Sequence, residues 1–224
     1  MSNKTLRFLL FPLLLVITLS YVNPLSADAP MAKKAPAPSA QAPLSKKVYL
    51  ITVDAAITPV VAEYINKSID LASKANAEAV IIQLDTPGGL VDSMREIVKK
   101  MMSADVPVVV YVGPSGARAA SAGVFITLAA NIAVMAPTTH IGAAHPVTME
   151  GKMDKTMETK IVNDLAAMAR GIAEKRGKSA KWAEEAVRKS VSITETEALK
   201  AKVIDFISPD IPTDSRSWPK GTSS

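Results

Sequence analysis

Ser121 is the residue best placed for nucleophilic chemistry in this sequence. It lies in a run of small residues, AASAG (119–123), after a predicted strand and at the start of a predicted helix. Small neighbours leave room for a peptide, and the unpaired N–H groups at a helix start favour a developing negative charge. The alternative interpretation is a structural serine in a tightly packed helix.

A Pro-Gly-Gly turn (residues 87–89) follows an apolar run and precedes a helical pattern. Glycine adopts positive φ values and lets another chain approach closely. The turn is therefore either a simple reversal of the chain or a place where bare backbone N–H groups face a substrate. The stretch by itself leaves both interpretations open.

Two kinds of side chain are candidates for a general base beside Ser121. Lys160 flanks the apolar seam of a predicted helix, where burial would lower its pKa from about 10.4 toward neutrality; an exposed lysine is the alternative. Lys152 and Lys155 lie in a polar segment, where desolvation is harder. His145 follows Ser121 by 24 residues, and an imidazole needs no large pKa shift to act near neutral pH.

The sequence contains no cysteine, which excludes disulfides, thiol catalysis and cysteine-based metal sites together. The two histidines, His140 and His145, have no evident metal-binding partners along the chain. We therefore expect neither a metal nor a cofactor.

The first 27 residues have the pattern of a secretory signal peptide. Lys4 and Arg7 precede an apolar run over 8–19, and small residues follow up to Ala27, after which cleavage is expected. Leu25 is large for the position it would hold before the cleavage site, so an uncleaved N-terminal anchor is the alternative. Either form predicts an exported protein on the periplasmic or extracytoplasmic face of a membrane.

Residues 28–46 are rich in proline, alanine and lysine and predict a disordered tether. The positive net charge of +5 comes from residues 1–47, because the chain from residue 48 onward holds 20 basic and 20 acidic residues. A folded part with no net charge argues against a nucleic-acid partner.

Strands and helices alternate from residue 47 onward. Apolar runs predict strands over 47–53, 79–85, 107–112, 131–136 and 203–207. Helical spacing and caps predict helices over 58–75, 91–101, 117–129, 155–176 and 179–190, with a capping-box pattern at Thr194 and Glu197. This alternation indicates an α/β domain over 47–208 with a largely parallel sheet, followed by a disordered tail over 209–224.

The order of the motifs, D-T-P-G-G, A-S-A-G, I-G-A-A-H-P, ITETEAL and VID, resembles the Clp-protease-like serine peptidases of the crotonase-type fold. The nearest match is the NfeD-type, membrane-associated serine protease subgroup, which is related to signal peptide peptidase A. The resemblance covers residues 47–208. It implies an α/β fold of repeated β-β-α units wound into a superhelix, with a largely parallel sheet and a helical C-terminal arm.

For the site, the resemblance implies a Ser–Lys dyad of Ser121 and Lys160, with an oxyanion hole made by Gly88, Gly89 and Ala122. His145 remains the alternative base, because the caseinolytic branch of the superfamily has a histidine at a similar distance from its serine.

For function, the resemblance implies an exported, ATP-independent serine endopeptidase that cleaves apolar, membrane-proximal peptide segments. It also implies a stomatin-like membrane protein as a partner and assembly into a homo-oligomer. Related proteins often carry a C-terminal membrane region and a small β-barrel domain, and this sequence contains neither. Two other classes of function share the fold: a catalytically inactive peptide-binding scaffold acting in membrane protein quality control, and an acyl-CoA enzyme of the crotonase type, which explains neither the Ser–Lys pair nor the signal peptide.

Overall fold

Five strands form the central sheet of the computed structural model, which describes residues 47–147, 154–214, 216 and 218. They are β1 (Val48–Asp54), β2 (Ala79–Asp85), β3 (Val108–Val112), β5 (Ile132–Met135) and β8 (Phe206–Ile207). Their order is β1-β2-β3-β5-β8, and every neighbouring pair is parallel. The predicted α/β class with a parallel sheet is confirmed, whereas the predicted signal peptide (1–27) and tether (28–46) lie outside the described residues.

Six helices connect or follow these strands: α1 (Pro59–Lys74), α2 (Val91–Met102), α3 (Ala122–Ala129), α4 (Lys155–Lys175), α5 (Ala180–Arg188) and α6 (Glu195–Lys200). The predicted caps are present. The Thr58 hydroxyl accepts the N–H of Val61 at the start of α1. The Thr194 hydroxyl and the Glu197 carboxylate each accept the other residue's backbone N–H, which completes the capping box of α6.

A second, smaller sheet differs from the prediction. It contains β4 (Arg118–Ala120), β6 (His140–Gly142) and β7 (Ser192–Thr194) in the order β4-β6-β7. The helix predicted over 117–129 is therefore wrong at 118–120, which form a strand. Strands of three residues are too short to show a period of two, so their pairing partners decide the conformation of this alanine-rich stretch.

The last predicted strand, 203–207, is also too long. Val203 and Ile204 are buried in the main core and follow α6 as a turn, with the Val203 N–H donating to the Ala198 carbonyl. Only Phe206 and Ile207 pair with β5. An apolar run that turns into the core carries the same sequence signal as a buried strand.

The side chains of the central sheet enter two separate cores, because successive residues of a strand point to opposite faces. Leu84 belongs to the large core beneath the helices, and Ile81 and Tyr111 belong to the smaller core on the other face. Ile211 and Trp218 pack against this smaller core, and the Tyr111 hydroxyl donates to the carbonyl of residue 209 at 3.0 Å. Part of the segment predicted as a tail over 209–224 thus contacts the sheet.

Helices α4 and α5 form the C-terminal helical arm and pack against each other and against α3. The predicted apolar seam of α4 is largely confirmed, since Leu165 and Ile172 are buried and Ile161 and Met168 are partly buried. Met157 departs from it and is 52% exposed. The arm therefore covers α3, the helix that begins after Ser121, with the later turns of α4.

Two cations cover the carboxyl end of α3. The Arg176 guanidinium donates to the Ala129 carbonyl at 2.8 Å, and the Lys178 amine donates to the Ala130 carbonyl at 3.2 Å. Lys178 is buried and lies 3.5 Å from the Asp205 carboxylate. Burial lowers the pKa of Lys178 below its ordinary value of 10.5, and the neighbouring carboxylate opposes that shift. Positive groups at a helix carboxyl end complement the helix dipole.

Candidate active site

Ser121 occupies a strained junction between β4 and α3. Its φ of 51° and ψ of −111° are uncommon for a residue with a side chain, and such backbone strain costs about 1–3 kcal/mol. The Ser121 N–H donates to the Gly142 carbonyl of β6 at 3.0 Å. The Ser121 hydroxyl has no hydrogen bond to any residue in the described part of the chain. The small sheet thus holds the Ser121 backbone while its hydroxyl stays available.

Gly88 meets Ser121 at van der Waals distance, so the Pro-Gly-Gly turn lies directly beside the serine. A Cβ placed on Gly88 would be 2.6 Å from the Ser121 Cβ and 3.1 Å from its Oγ. Gly88 also has a φ of +116°, which L residues rarely adopt. Its N–H is already bonded to the Thr86 hydroxyl at 3.1 Å. The part of the prediction that made the Gly88 N–H an oxyanion donor does not fit this structure, in which Gly88 provides space instead.

Gly89 and Ala122 provide the two available backbone donors. Among the described residues, neither N–H donates a hydrogen bond, and both residues line the same pocket as Ser121. Gly89 is held by a bridge to the segment that follows β1, where the Ile57 N–H donates to the Gly88 carbonyl and the Leu90 N–H donates to the Ile57 carbonyl, both at 2.8 Å. A Cβ on Gly89 would lie 2.1 Å from the Ile57 carbonyl oxygen, so no other residue fits there.

The pocket at Ser121 is narrow and mainly apolar. Apart from Gly89, Ser121 and Ala122, its lining comes from α2, α3, α4 and the segment after β6: Val91, Met94, Phe125, Ala144, Pro146 and Leu165. A lining of this kind suits an apolar side chain, since removing apolar surface from water is favourable by about 25 cal/mol per Å². The sequence did not indicate these six residues as pocket residues, because they come from four separate parts of the chain.

Lys160 does not lie in this pocket. It is exposed on α4 and has no hydrogen bond or ion pair in the described part of the chain. Leu165, which does line the pocket, comes five residues later and hence about 140° around the helix and about 7.5 Å along it. The expected partial burial of Lys160 is wrong for this conformation. The buried Leu165, Ala169 and Ile172 define the face of α4 that packs inward, and residue 160 lies on another face, about 180° from Ala169.

His145, the alternative base, also faces away from Ser121. Its Nδ1 lies 3.0 Å from the Val187 carbonyl oxygen and its Nε2 lies 3.5 Å from the Glu158 carboxylate. A carbonyl only accepts hydrogen bonds, so Nδ1 carries the hydrogen. Glu158 is the acidic partner that the sequence did not identify. The residues on either side of His145 line the serine pocket, whereas both ring nitrogens contact groups outside it. His140 is exposed at the start of β6.

Thr86 is a site residue that the sequence analysis missed. Its side chain is fully buried, its hydroxyl accepts the Gly88 N–H, and its backbone pairs with the strand that leads to Ser121. The signal in the sequence is a threonine two residues before the glycine whose N–H it accepts, a common arrangement in turns.

Comparison with known proteins supports the resemblance stated above. The model of the family described as NfeD1b, N-terminal domain, matches residues 47–210. Among curated proteins, the membrane-bound protease PH1510 of Pyrococcus horikoshii is 40% identical over 166 residues, which is 73% of this chain. The chain spans only 38% of the length of that relative. No helix in the described ranges is long and apolar enough to cross a membrane.

Solved structures of proteases are also similar to this chain. A serine-to-alanine mutant of the 1510-N membrane-bound stomatin-specific protease is 38% identical, with a TM-score of 0.69 over 74% of this chain and 81% of that chain. A lysine-to-alanine mutant in complex with a substrate peptide is also 38% identical, with a TM-score of 0.69 over 76% and 79% of the two chains. ClpP1 from Listeria monocytogenes is 21% identical, with a TM-score of 0.59 over 72% and 92%, and this likeness shows the Clp-protease-like fold alone.

The two mutants also show how far apart the mutated serine and lysine lie in the sequence of the 1510-N protease. The mutated serine and lysine of the 1510-N protease lie 41 residues apart along that chain. Ser121 and Lys160 lie 39 residues apart here, whereas Ser121 and His145 lie 24 apart.

Proposed function

Because the chain belongs to the NfeD1b N-terminal domain family, we propose that it is an ATP-independent serine endopeptidase with Ser121 as its nucleophile. The observation that carries this proposal is the placement of Ser121. A strained serine with an available hydroxyl lies beside two backbone N–H groups, those of Gly89 and Ala122, that have no other acceptor in the described residues. Strained residues of this kind concentrate at functional sites.

The proposed chemistry uses these groups in sequence. The Ser121 hydroxyl gives its proton to a base and its oxygen attacks the carbonyl carbon of a peptide bond. The Gly89 and Ala122 N–H groups donate to the resulting oxyanion, and one donor of this kind contributes about 3 kcal/mol to transition-state stabilisation. The base then protonates the leaving amine, and water hydrolyses the acyl-enzyme by the reverse steps.

Lys160 is the proposed base, and it acts only after the first turns of α4 rearrange. Two observations support it: the 39-residue spacing from Ser121, which is close to that of the serine and lysine mutated in the 1510-N protease, and the contacts that engage both nitrogens of His145. Its position on the exposed face of α4 requires the helix start to unwind or turn before the amine meets Ser121. A lysine desolvated in the apolar pocket would be neutral near working pH.

The proposed substrate is an apolar, membrane-proximal peptide segment. The lining of the serine pocket by Val91, Met94, Phe125 and Leu165 supports an apolar side chain next to the cleaved bond. A stomatin-like membrane protein is the proposed partner, because a similar solved structure is described as specific for a stomatin homologue. Cleavage of peptides with leucine or with aspartate before the cleaved bond tests the preference, and a preference for aspartate would contradict it.

Export to the extracytoplasmic face of a membrane and assembly into a homo-oligomer complete the proposal. The signal-like pattern of residues 1–27 supports export, and relatives named as membrane-bound support a location at the membrane. Fractionation of the expressing cells tests location, and light scattering of the purified protein tests assembly. A chain that stays in the cytosol, or that is monomeric at high concentration, contradicts the respective part.

Purified wild type and three variants test the activity and the base together. Ser121→Ala should abolish turnover of a quenched fluorescent peptide across about pH 6 to about pH 10, the range in which a lysine or histidine base operates. Lys160→Ala should lower kcat by roughly 100-fold or more, as expected for loss of a general base. His145→Ala should keep most of kcat. Loss of kcat in the His145 variant with activity retained in the Lys160 variant would reverse the assignment.

The second candidate function is a catalytically inactive peptide-binding scaffold acting in membrane protein quality control. The exposed position of Lys160 favours it, since a serine without a base remains a weak nucleophile. Wild-type protein that binds apolar peptides but shows no turnover dependent on Ser121 at any pH in that range would support the scaffold and refute the peptidase.

A further inference from the structure

Thr86 joins the Pro-Gly-Gly turn to the strand that carries the serine. Its side chain is fully buried. The hydroxyl oxygen accepts the Gly88 N–H at 3.1 Å and lies 3.3 Å from the Gly88 carbonyl oxygen, to which it donates. One side chain therefore contacts both polar backbone groups of Gly88, two residues further along the chain.

The backbone of Thr86 holds β4, the strand that leads to Ser121. The Thr86 N–H donates to the Arg118 carbonyl at 2.8 Å, and the Thr86 carbonyl accepts the Ala120 N–H at 3.1 Å. These two bonds flank Ala119, two residues before Ser121. The Thr86 methyl group lies 2.8 Å from where a Cβ on Gly123 would be, so it packs against the first turn of α3.

These contacts determine which N–H group remains available. Because the Thr86 hydroxyl takes the Gly88 N–H, Gly89 is the glycine of the turn whose N–H is left without an acceptor in the described residues. Without the hydroxyl, the Gly88 N–H would be buried with no partner, which is unfavourable. The peptide planes of the turn would then rotate to satisfy it, and the Gly89 N–H would move with them.

We propose that Thr86 is a positioning residue that holds the Gly89 N–H in its orientation toward the Ser121 pocket. This inference rests on the proposed peptidase function. Thr86 is not among the residues that line the Ser121 pocket, so it would act through the turn. A hydroxyl is required for this role, whereas a structural role in packing requires only the shape of the side chain.

Two substitutions separate the hydroxyl from the shape. Thr86→Val keeps the branched shape and the methyl contact with Gly123 but loses the hydroxyl. Thr86→Ser keeps the hydroxyl and loses the methyl group. Thr139→Val is the matched control, because the Thr139 hydroxyl is also buried and also bonds to a backbone carbonyl, that of Ala136 at 2.6 Å, in a turn outside the site.

The experiment measures kcat, KM and the thermal unfolding midpoint of these three variants with a quenched peptide substrate, beside wild type and Ser121→Ala. We expect Thr86→Val to lower kcat by roughly 10- to 100-fold, less than the roughly 100- to 1000-fold seen when an oxyanion donor is lost outright. KM should change less than threefold, since the N–H acts mainly in the transition state. Thr86→Ser and Thr139→Val should keep kcat within about threefold of wild type.

The outcomes distinguish this inference from the function on which it rests. A wild type whose turnover does not depend on Ser121 overturns the proposed function and this inference with it. An active wild type and a folded Thr86→Val variant with unchanged kcat overturn the inference alone. If Thr86→Val fails to fold, Thr86→Ser decides, because a folded serine variant that loses more than tenfold in kcat shows that packing and not the hydroxyl matters.

Discussion

Alanine at position 88 is the sharpest probe of the contact between the glycine turn and Ser121. The new Cβ would lie 2.6 Å from the Ser121 Cβ, whereas ordinary van der Waals contact begins at 3.4 Å. The turn and the segment that carries Ser121 would have to separate by about 0.8 Å. A misplacement of about 1 Å at a catalytic group costs roughly 100-fold in rate, so Gly88→Ala should lower kcat by about that factor.

The substitution also strains the backbone, because the φ of +116° is rarely adopted by alanine. Strain of this kind costs about 1–3 kcal/mol of stability. Gly116→Ala is the matched control, since Gly116 also has a positive φ, of +88°, but a Cβ there meets no atom within 4 Å. Both variants should lose stability from backbone strain, and only the variant at position 88 should lose catalysis.

The assay is turnover of a quenched apolar peptide at saturating concentration, with the folded fraction of each variant taken from urea unfolding. We expect Gly88→Ala to fall roughly 100-fold below Gly116→Ala in kcat per folded molecule. Equal kcat for the two variants would contradict a role of the close Gly88–Ser121 contact in catalysis. It would mean that the turn and the serine can separate without loss of the active geometry.

Three further predictions concern stability. Gly171→Ala, at an exposed position in α4 where a Cβ meets nothing within 4 Å, should raise the free energy of unfolding by about 0.8–1 kcal/mol in urea titrations, and a decrease would contradict an open site. Thr194→Ala removes the α6 cap and should lower that free energy by about 1 kcal/mol, whereas an unchanged value would contradict the capping box. Burial lowers the pKa of Lys178 below 10.5, so the unfolded chain binds the additional proton and stability rises as pH climbs from the folded pKa toward 10.5. Lys178→Met should remove that rise in pH-dependent unfolding, and an identical pH profile for wild type and variant would contradict it.

The predictable part of the fold is the part with long, regular patterns. The apolar runs of β2 and β3 are buried on both faces, and such runs predict strands from the sequence. The Thr58 and Thr194 caps identify helix starts from a few residues. The small sheet of β4, β6 and β7 has no such pattern. Its three-residue strands form because the chain brings them together, so the stretch before Ser121 looked helical from its alanines.

For the candidate site, the sequence indicated which residues to consider better than it indicated the contacts that they make. The sequence identified Ser121, Gly89 and Ala122, which the structure brings to one pocket. It did not distinguish the two glycines, because only the Thr86 hydrogen bond shows that the Gly88 N–H is engaged. The face on which Lys160 lies is set by which residues of α4 pack against the core, and Lys160 lies about 180° around the helix from the buried Ala169. The apolar seam did not show this, because Lys160 is next to Ile161 in the sequence.

Covalent labelling is the most direct test of Ser121 as the nucleophile. The protein is treated with a fluorophosphonate between about pH 6 and about pH 10, and the adduct is located by mass spectrometry of its peptides. We expect a single adduct on Ser121, absent from Ser121→Ala and slower to form in Gly88→Ala than in Gly116→Ala. No adduct at any pH, or an adduct on another residue with Ser121 unmodified, would contradict it.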